Sequence, residues 1–344
     1  MYKHTPLLIS AILGAALALG ACRQEVTISE PDCAKPDVLC VGLVTGLEGI
    51  KDNSFNQLAW EGVQQAQSEN VVDWVRYIET IDAKDYYQNI TSLVEADYDI
   101  IVTIGEQNAH VTSTAANTYP DKLFIGVDQE QAEVHPNLAG LIYDDAETSF
   151  LAGALAAQVT KTGTVAGVFG NELVHTNVLY KEGFEAGVKY INPEIKIITT
   201  YQPGDQDAVY SEAEWGASAA ARAIENGADV VFGAGAKVNH GVLIETAKHP
   251  GLYCIGVNVD QWKIYSQAHS CLLSSAIKLI TPGVVDLIKL GKNGQFPSGN
   301  YLGTSGLASY HDFDSVISDA VKAKTITIAD GLVDGIITTG VIAP

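Results

Sequence analysis

Residues 40–62 read CVGLVTGLEGIKDNSFNQLAWEG, and the fold prediction rests on the pattern in this stretch. The apolar, β-branched run at 40–46 predicts a strand, and the stretch at 54–68 shows helical spacing. Ser54 with Gln57 three residues later forms a capping-box signature at the start of that helix. A strand that leads through a short loop into a helix is typical of a parallel sheet covered by helices.

The remaining sequence continues this alternation in two series. The first series predicts strands at 71–78, 98–105 and 122–128 and helices at 85–96 and 107–118. The second predicts strands at 163–169, 195–201, 228–233, 252–258 and 272–278, helices at 146–160, 175–190, 208–226, 237–248 and 282–291, and a last helix from about Asp314. No sequence repeat is apparent. The pattern therefore predicts an α/β fold with two parallel sheets, each flanked by helices.

Length and charge limit the possible functions. A chain of 344 residues is long enough for two lobes, each with its own core. Its 20 basic and 41 acidic residues give a formal net charge of -21, which repels phosphate backbones. Binding to nucleic acid is therefore disfavoured.

The first residues are typical of an exported protein. A lysine precedes an apolar run at 7–19 that is shorter than the roughly 20 residues needed to cross a bilayer, so residues 1–21 are predicted to be a signal peptide. The run ends in Leu-Gly-Ala-Cys, a pattern that resembles a bacterial lipobox, with Cys22 as the lipidated residue that anchors the chain to a membrane. Residues 22–37 are polar and aperiodic, so we expect a flexible tether.

Four cysteines remain once Cys22 is assigned to lipidation, an even number in an export context that permits disulfides. Cys33 could pair with Cys40, and Cys254 could pair with Cys271. Buried free thiols are the alternative for each pair.

Common enzyme and cofactor motifs do not occur in the sequence. The first strand–helix junction has neither GxGxxG spacing nor a GxxxxGK[ST] loop, and no GxSxG or HExxH is found. We therefore predict no cofactor and no catalytic site. The histidines, including His110, His175 and His240, are expected to have surface or capping roles.

The segment GLEGIKDNSFNQLAWEG at 46–62 closely resembles the signature of the basic membrane protein family of substrate-binding lipoproteins, the family of purine nucleoside receptor A. Further matches follow in order along the chain: LFIGVD at 123–128, AETSFLAGALAAQVTKTGTVAGV at 146–168, GFEAGVKYINP at 183–193, GADVVF at 227–232 and IGVNVDQ at 255–261.

The resemblance implies a two-lobed fold of the type I periplasmic-binding-protein kind, with three crossovers and the ligand in the cleft between the lobes. We expect one lobe to contain residues 38–145 and 263–300 and the other residues 146–262 and 301–344. The implied function is that of an extracytoplasmic binding protein of an ABC importer. It would bind a nucleoside, with a purine favoured, and deliver it to a permease driven by separate ATPase subunits.

The resemblance also implies site residues. Phe55 and Phe232 would stack on the base, Asp52 and Asn53 would bind its polar edge, and Asp128 would contact the ligand. The backbone at Gly235 would approach the ligand, and Asp260 and Lys278 would bind the sugar. Structural roles remain open for several of them: Phe55 as a core residue of its helix, Asp52, Asn53 and Asp128 as caps, and Asp260 with Lys278 as an interlobe salt bridge. Trp262 is an alternative ring to Phe232. Asn258 stands where the family usually has Asp.

Three other functions remain open at this point. The ligand could be a sugar, a signalling molecule or another base-containing compound. The lobes could belong to an enzyme such as a nucleoside hydrolase, although no acidic cluster of the DxDxxxDD kind occurs. The chain could also be a surface interaction protein with a vestigial cleft.

Overall fold

The structure is a computed structural model that describes residues 32–204 and 213–342. The predicted signal peptide, Cys22 and the first part of the tether lie outside the described residues. Within the described ranges, no helix is long and apolar enough to cross a membrane.

The first of two six-stranded sheets is parallel throughout, with the strand order β11-β5-β4-β3-β1-β2. Its interior strands are almost entirely buried, as expected for a parallel sheet with helices on both faces. Its strands are β1 (Cys40–Val44), β2 (Trp74–Ile78), β3 (Ile100–Ile104), β4 (Leu123–Val127), β5 (Leu138–Ile142) and β11 (Gly299–Leu302).

The second sheet has the order β12-β10-β9-β8-β6-β7 and is parallel except for β12, which runs antiparallel to β10. Its strands are β6 (Thr164–Phe169), β7 (Lys196–Tyr201), β8 (Val230–Ala234), β9 (Tyr253–Asn258), β10 (Leu272–Lys278) and β12 (Ser305–Leu307). The order of strands along the chain is the same in both sheets, so the two halves share one topology that the sequence does not reveal as a repeat.

Helices cover both sheets. Around the first sheet lie α1 (Phe55–Ser68), α2 (Tyr86–Glu95), α3 (Ala109–Thr118) and α8 (Ile280–Lys292). Around the second lie α4 (Asp145–Val159), α5 (His175–Ile191), α6 (Ala213–Glu225), α7 (Lys237–Thr246) and α9 (Asp319–Val333). Helix α4 is buried almost all round, since it lies between the sheet, α5 and α9.

The predicted strands and helices are confirmed to within a few residues, apart from the last helix, which begins at Asp319 and not near Asp314. Residues 208–212 of one predicted helix lie outside the described residues. Three strands were missed: β5, β11 and β12. The last two have four and three residues, too few for a periodic pattern to stand out.

The predicted boundaries between the lobes need correction. Strand β10, assigned to the first lobe, pairs along β9 in the second sheet, whereas β11 pairs with β5 and carries residues 301 and 302 into the first sheet. The first lobe therefore comprises 32–142 and 280–302, and the second 145–278 and 305–342. The chain crosses between the lobes near residues 143, 279 and 303.

Both possible disulfides form. Cys33 bonds to Cys40, which ties the end of the predicted tether to β1, and Cys254 on β9 bonds to Cys271 just before β10. Cys33 is buried, so the chain is part of the folded body from about residue 32 and not only from residue 38.

Candidate functional site

A cleft of about 570 Å³ lies between the lobes at the carboxyl ends of the parallel strands. This is where open α/β sheets place their ligands, and the volume suits a small organic molecule. Both lobes contribute to its lining: Asp128 and Tyr143 follow strands of the first sheet, and Tyr180, Asn258 and Lys278 come from the second lobe.

Lys278, the last residue of β10, lies at the centre of this cleft and is only 5% exposed. Its Nζ is 2.9 Å from Asp128 Oδ1 of the first lobe and 3.2 Å from Asp145 Oδ1 at the start of α4 in the second lobe. One ammonium thus connects two carboxylates across the cleft.

The charge of Lys278 is maintained by its neighbours. Burial alone would lower the pKa of this lysine, but Tyr180, Asp128 and Asp145 outweigh the burial and hold the pKa well above its ordinary value. Lys278 is therefore a cation at physiological pH. With two carboxylates for one ammonium, the centre of the cleft carries an excess of negative charge.

Two aromatic rings lie beside the ammonium. The centroids of Phe55, at the start of α1, and of Tyr143 lie 5.9 and 5.7 Å from Lys278 Nζ, at the outer range of a cation–π contact. Burial first, and Asp128 in addition, raise the pKa of Tyr143, so its hydroxyl stays protonated and can donate. That hydroxyl has no hydrogen-bond partner among the described residues.

Asp145 carries the second unsatisfied polar atom of the cleft. Its Oδ1 lies close enough to Lys278 for charge attraction, yet within the described chain it accepts no hydrogen bond. Asp145 is ion-paired with Lys278 and still has room for a hydrogen bond, whereas the buried Tyr143 hydroxyl has no partner among the described residues and would lose stability by remaining so. A ligand that donates to Asp145 and accepts from Tyr143 would satisfy both.

Tyr180 of α5 and Asn258 at the end of β9 form the opposite wall. The Tyr180 hydroxyl donates to Asn258 Oδ1 over 2.6 Å. Asn258 has a left-handed backbone (φ 71°), which turns its amide toward the cleft. Burial first, and the charge of Asp145 next, raise the pKa of Tyr180.

Among the residues predicted from the sequence, Asp128, Gly235 and Lys278 line the cleft. Gly235 follows β8 with φ 106°, and a Cβ there would collide with the backbone nitrogen of Gly170. The chain at this point therefore requires glycine. Phe55 lies near the cleft through its contact with Lys278.

Phe232 does not reach the cleft, and the prediction that it stacks on a base was wrong. Its side chain is fully buried in the second core, where it stacks on Phe184 with centroids 5.2 Å apart and meets Phe169 edge-on. Helices cover both faces of the second sheet, so every side chain within β8 is buried, and only residues at or beyond the end of the strand can reach the cleft.

Asp52 and Asn53 also have roles other than the predicted one. The Asp52 carboxylate accepts from the backbone nitrogens of Ser54, Asn56 and Gln57, so it caps α1, and Ser54 makes no side-chain capping bond. The predicted capping box is therefore wrong. Asn53 is exposed, with a left-handed backbone of φ 51°.

Asp260 lines a smaller pocket of about 250 Å³ that it shares with Lys278, and it does not line the main cleft. His311 Nε2 donates to its carboxylate at 2.9 Å. The neighbouring Trp262 is stacked between His269 and His311, with centroids 4.1 and 4.4 Å away, so neither of its faces is open to a ligand.

Sequence reasoning gave no ligand role to most polar residues of the cleft, among them Tyr143, Asp145, Tyr180 and Asn258. Tyr143 and Asp145 flank the first crossover, which was predicted between residues 145 and 146, but without β5 neither side chain could be placed at the end of a strand. Tyr180 lies on α5, and the sequence did not indicate which residues of this helix face the cleft. His175, expected to have a surface or capping role, is the first residue of α5 and lines the cleft.

Comparisons with known proteins identify the family and the fold. The family model described as ABC transporter substrate-binding protein PnrA-like matches residues 41–307. The chain is 30% identical to a CD4+ T-cell-stimulating antigen of Listeria monocytogenes serovar 1/2a, over 97% of this chain and 98% of the relative. It is 31% identical to the ABC transporter nucleoside-binding protein BmpA of Lactococcus lactis subsp. cremoris, over 96% and 98%.

The fold is also similar to that of solved structures. An ABC transporter solute-binding protein from Conexibacter woesei superposes with a TM-score of 0.72 at 17% identity, over 88% of this chain and 98% of that one. At this level of identity the similarity concerns the fold alone, which is that of a type I periplasmic-binding-protein-like solute-binding protein.

Proposed function

The chain belongs to the family of PnrA-like ABC transporter substrate-binding proteins, and from this membership we propose that its interlobe cleft binds a nucleoside, with a purine favoured. The ligand would be held and released without chemical change. One relative of nearly the same length is named as a nucleoside-binding protein, which supports this choice of ligand class.

The observation that carries the proposal is the pair of unsatisfied polar atoms beside Lys278. Tyr143 Oη and Asp145 Oδ1 are buried and without hydrogen bonds among the described residues, and Lys278 lies next to both side chains. Adjacent sugar hydroxyls can each donate and accept, so a ribose would provide hydrogen bonds for all three groups. An apolar ligand would leave them unpaired.

The base has an aromatic partner in Phe55. Its ring is half-buried near Lys278, and base–aromatic stacking contributes roughly 1–3 kcal/mol in other nucleobase sites. Asn258 and Asn177 line the same cleft and carry amides that can both donate to and accept from a base edge.

Transport follows from closure of the lobes. Lys278 pairs with carboxylates of both lobes, so a ligand that binds this group contacts both lobes at once and favours the closed state. We propose that the closed form delivers the nucleoside to a permease with separate ATPase subunits. In this proposal the protein is extracytoplasmic and is held at the membrane by lipid on Cys22.

The proposal is tested by titration calorimetry of the purified protein with inosine, guanosine, cytidine, adenine and ribose. We expect one site per chain, the tightest binding for a purine nucleoside and much weaker binding of the free base and free sugar. Heat from sugars alone would contradict the nucleoside assignment and favour a sugar-binding protein. Product formed from inosine would favour an enzyme.

A further inference from the structure

Residues 336–342, which follow α9 and belong to no helix or strand, form a segment that we call the strap. Gly335 adopts a left-handed conformation (φ 66°) that ends the helix and turns the chain away from its axis. Ile337, Thr339 and Val341 are half-buried, whereas residues 338 and 340 between them are exposed. Every second residue of the strap is thus partly covered by the protein, and Gly340, with a left-handed backbone of φ 69°, turns the chain between Thr339 and Val341.

Ile337 fixes the strap to the second lobe. Its N–H donates to the carbonyl of Gly331 over 2.8 Å, and its side chain packs against the cluster that contains Phe150 and Ile328. A Cβ on Gly331 would lie 2.7 Å from Ile337 Cδ1, so the glycine makes room for this contact. The start of the strap thus has a fixed position on α9.

Val341, four residues beyond this anchor, lines the interlobe cleft. Ile142 and Leu302 of the first lobe line the same cleft, and they are paired neighbours at the ends of β5 and β11. Most other side chains of the lining are polar or charged. Ile142, Leu302 and Val341 are thus apolar residues of one cleft lining and come from both lobes, and Leu302 is 59% exposed.

We propose that Val341, with Ile142 and Leu302, forms an apolar end wall of the ligand cleft and helps to determine which ligands fit. This inference rests on the proposed function, since it assigns one end of the nucleoside to this wall. When the lobes close, the wall covers the least polar end of the ligand, and Leu302 is removed from water. A ligand with a charged group at that end is rejected, because the wall offers such a group no partner.

The first test is calorimetry with inosine on Val341→Asp, with Ile342→Asp as the matched control. Position 342 is 85% exposed, so the same charge one residue further along the strap faces water. We expect Val341→Asp to weaken inosine binding by about tenfold or more, since it places a carboxylate in the apolar wall, and the control to change it by less than about twofold. Equal effects of the two variants would overturn the proposal.

A second test needs no ligand. In a Cys22→Ser background, where the four described cysteines are in disulfides, Val341→Cys should react with a thiol reagent at least about fivefold more slowly than Ile342→Cys. Inosine should slow position 341 further and leave position 342 unchanged. Equal rates without ligand would overturn the strap's placement. If no nucleoside binds the wild-type protein, the proposed function fails. The two reaction rates measured without ligand still show whether Val341 lies in the cleft lining.

Discussion

Strands β4 and β9 occupy the same position in the two sheets, and the chain leaves them through related sequences, IGVDQ at 125–129 and IGVNVDQ at 255–261. Each strand is followed or ended by a residue with a left-handed backbone, Asp128 with φ 55° and Asn258 with φ 71°. The two lobes thus present one polar side chain each to the cleft from equivalent positions.

A glutamine completes the turn in both lobes. Gln129 folds back over Gly126, accepts from Thr103 and donates to the carbonyl of Gly105. In the second lobe Gln261 folds back over Gly256 in the same way, and it accepts from the backbone nitrogen of Val257. The glycines are required because any Cβ would occupy the space of the amide.

The turns differ in length, because the glutamine follows Asp128 directly, whereas two additional residues, Val259 and Asp260, separate Asn258 from Gln261. The first lobe places the Asp128 carboxylate against Lys278, whereas the second contributes the neutral amide of Asn258 to the cleft. The additional residues carry the acid, Asp260, out of the main cleft to His311. Equivalent strands therefore contribute charge from one lobe and neutral hydrogen bonding from the other.

The largest expected effect concerns Lys278, the residue on which both lobes converge. Lys278→Met should weaken inosine binding by about 100-fold or more and lower the free energy of unfolding by about 3 kcal/mol, because Asp128 and Asp145 lose their cation. Lys289→Met, which removes an exposed pair with Glu69, is the control and should change the free energy of unfolding far less than Lys278→Met does. Calorimetry and denaturant unfolding measure both quantities.

Variants of Asp145 and Asp260 test whether the ligand binds in the main cleft or in the smaller pocket, because each acid lines only one of them. Asp145→Asn should weaken inosine binding by about tenfold, because the charge that faces Lys278 is removed. We expect Asp260→Asn to change the affinity by less than about twofold, since its partner is His311. A larger effect at Asp260 would support the prediction from the sequence that Asp260 binds the sugar. It would contradict its placement outside the ligand cleft.

The equivalence of the two turns can be tested through their glutamines. Gln129→Ala and Gln261→Ala should each lower the free energy of unfolding by about 1–3 kcal/mol, because buried groups lose their partners. Gln65→Ala, on the exposed face of α1, should change it by less than about 0.5 kcal/mol. Denaturant unfolding measures these changes. If only one of the two buried variants had the stability of the wild type, the two glutamines would not have equivalent structural roles.

The smallest effect is a pH dependence at the first crossover. Burial raises the pKa of Tyr143, so its contribution to stability is complete below the unfolded pKa near 10 and is lost as the pH rises past it. At pH 11 the loss from one such tyrosine is about 1.4 kcal/mol. Tyr143→Phe should therefore lose less stability than wild type between pH 9 and pH 11, with parallel curves between pH 7 and pH 9.

Periodicity predicted most of the fold, because buried parallel strands such as β3 and helices such as α1 have strong apolar patterns. It failed at β12, where only three residues pair. Periodicity also could not predict to which sheet β10 belongs, because this depends on its pairing with β9 and not on local sequence.

The site was predicted only where a residue ends a strand. Asp128 and Gly235 follow strands, Lys278 ends one, and all three line the cleft, as the rule for parallel sheets requires. Phe232 lies two residues before the end of β8, and its side chain enters the core. The pairing of Lys278 with Asp145 could not be predicted. Asp145 lies directly after the first crossover, and its position beside β10 depends on how the chain passes between the lobes.

The most direct test of the central claim is the distance between the lobes with and without a nucleoside. Spin labels on Ile81→Cys in the first lobe and Glu172→Cys in the second, both exposed positions, report this distance by double electron–electron resonance. We predict that inosine shortens the distance in the wild-type background and leaves it unchanged in Lys278→Met. An unchanged distance in a protein that calorimetry shows to be saturated with inosine would contradict closure of the lobes around a ligand at Lys278.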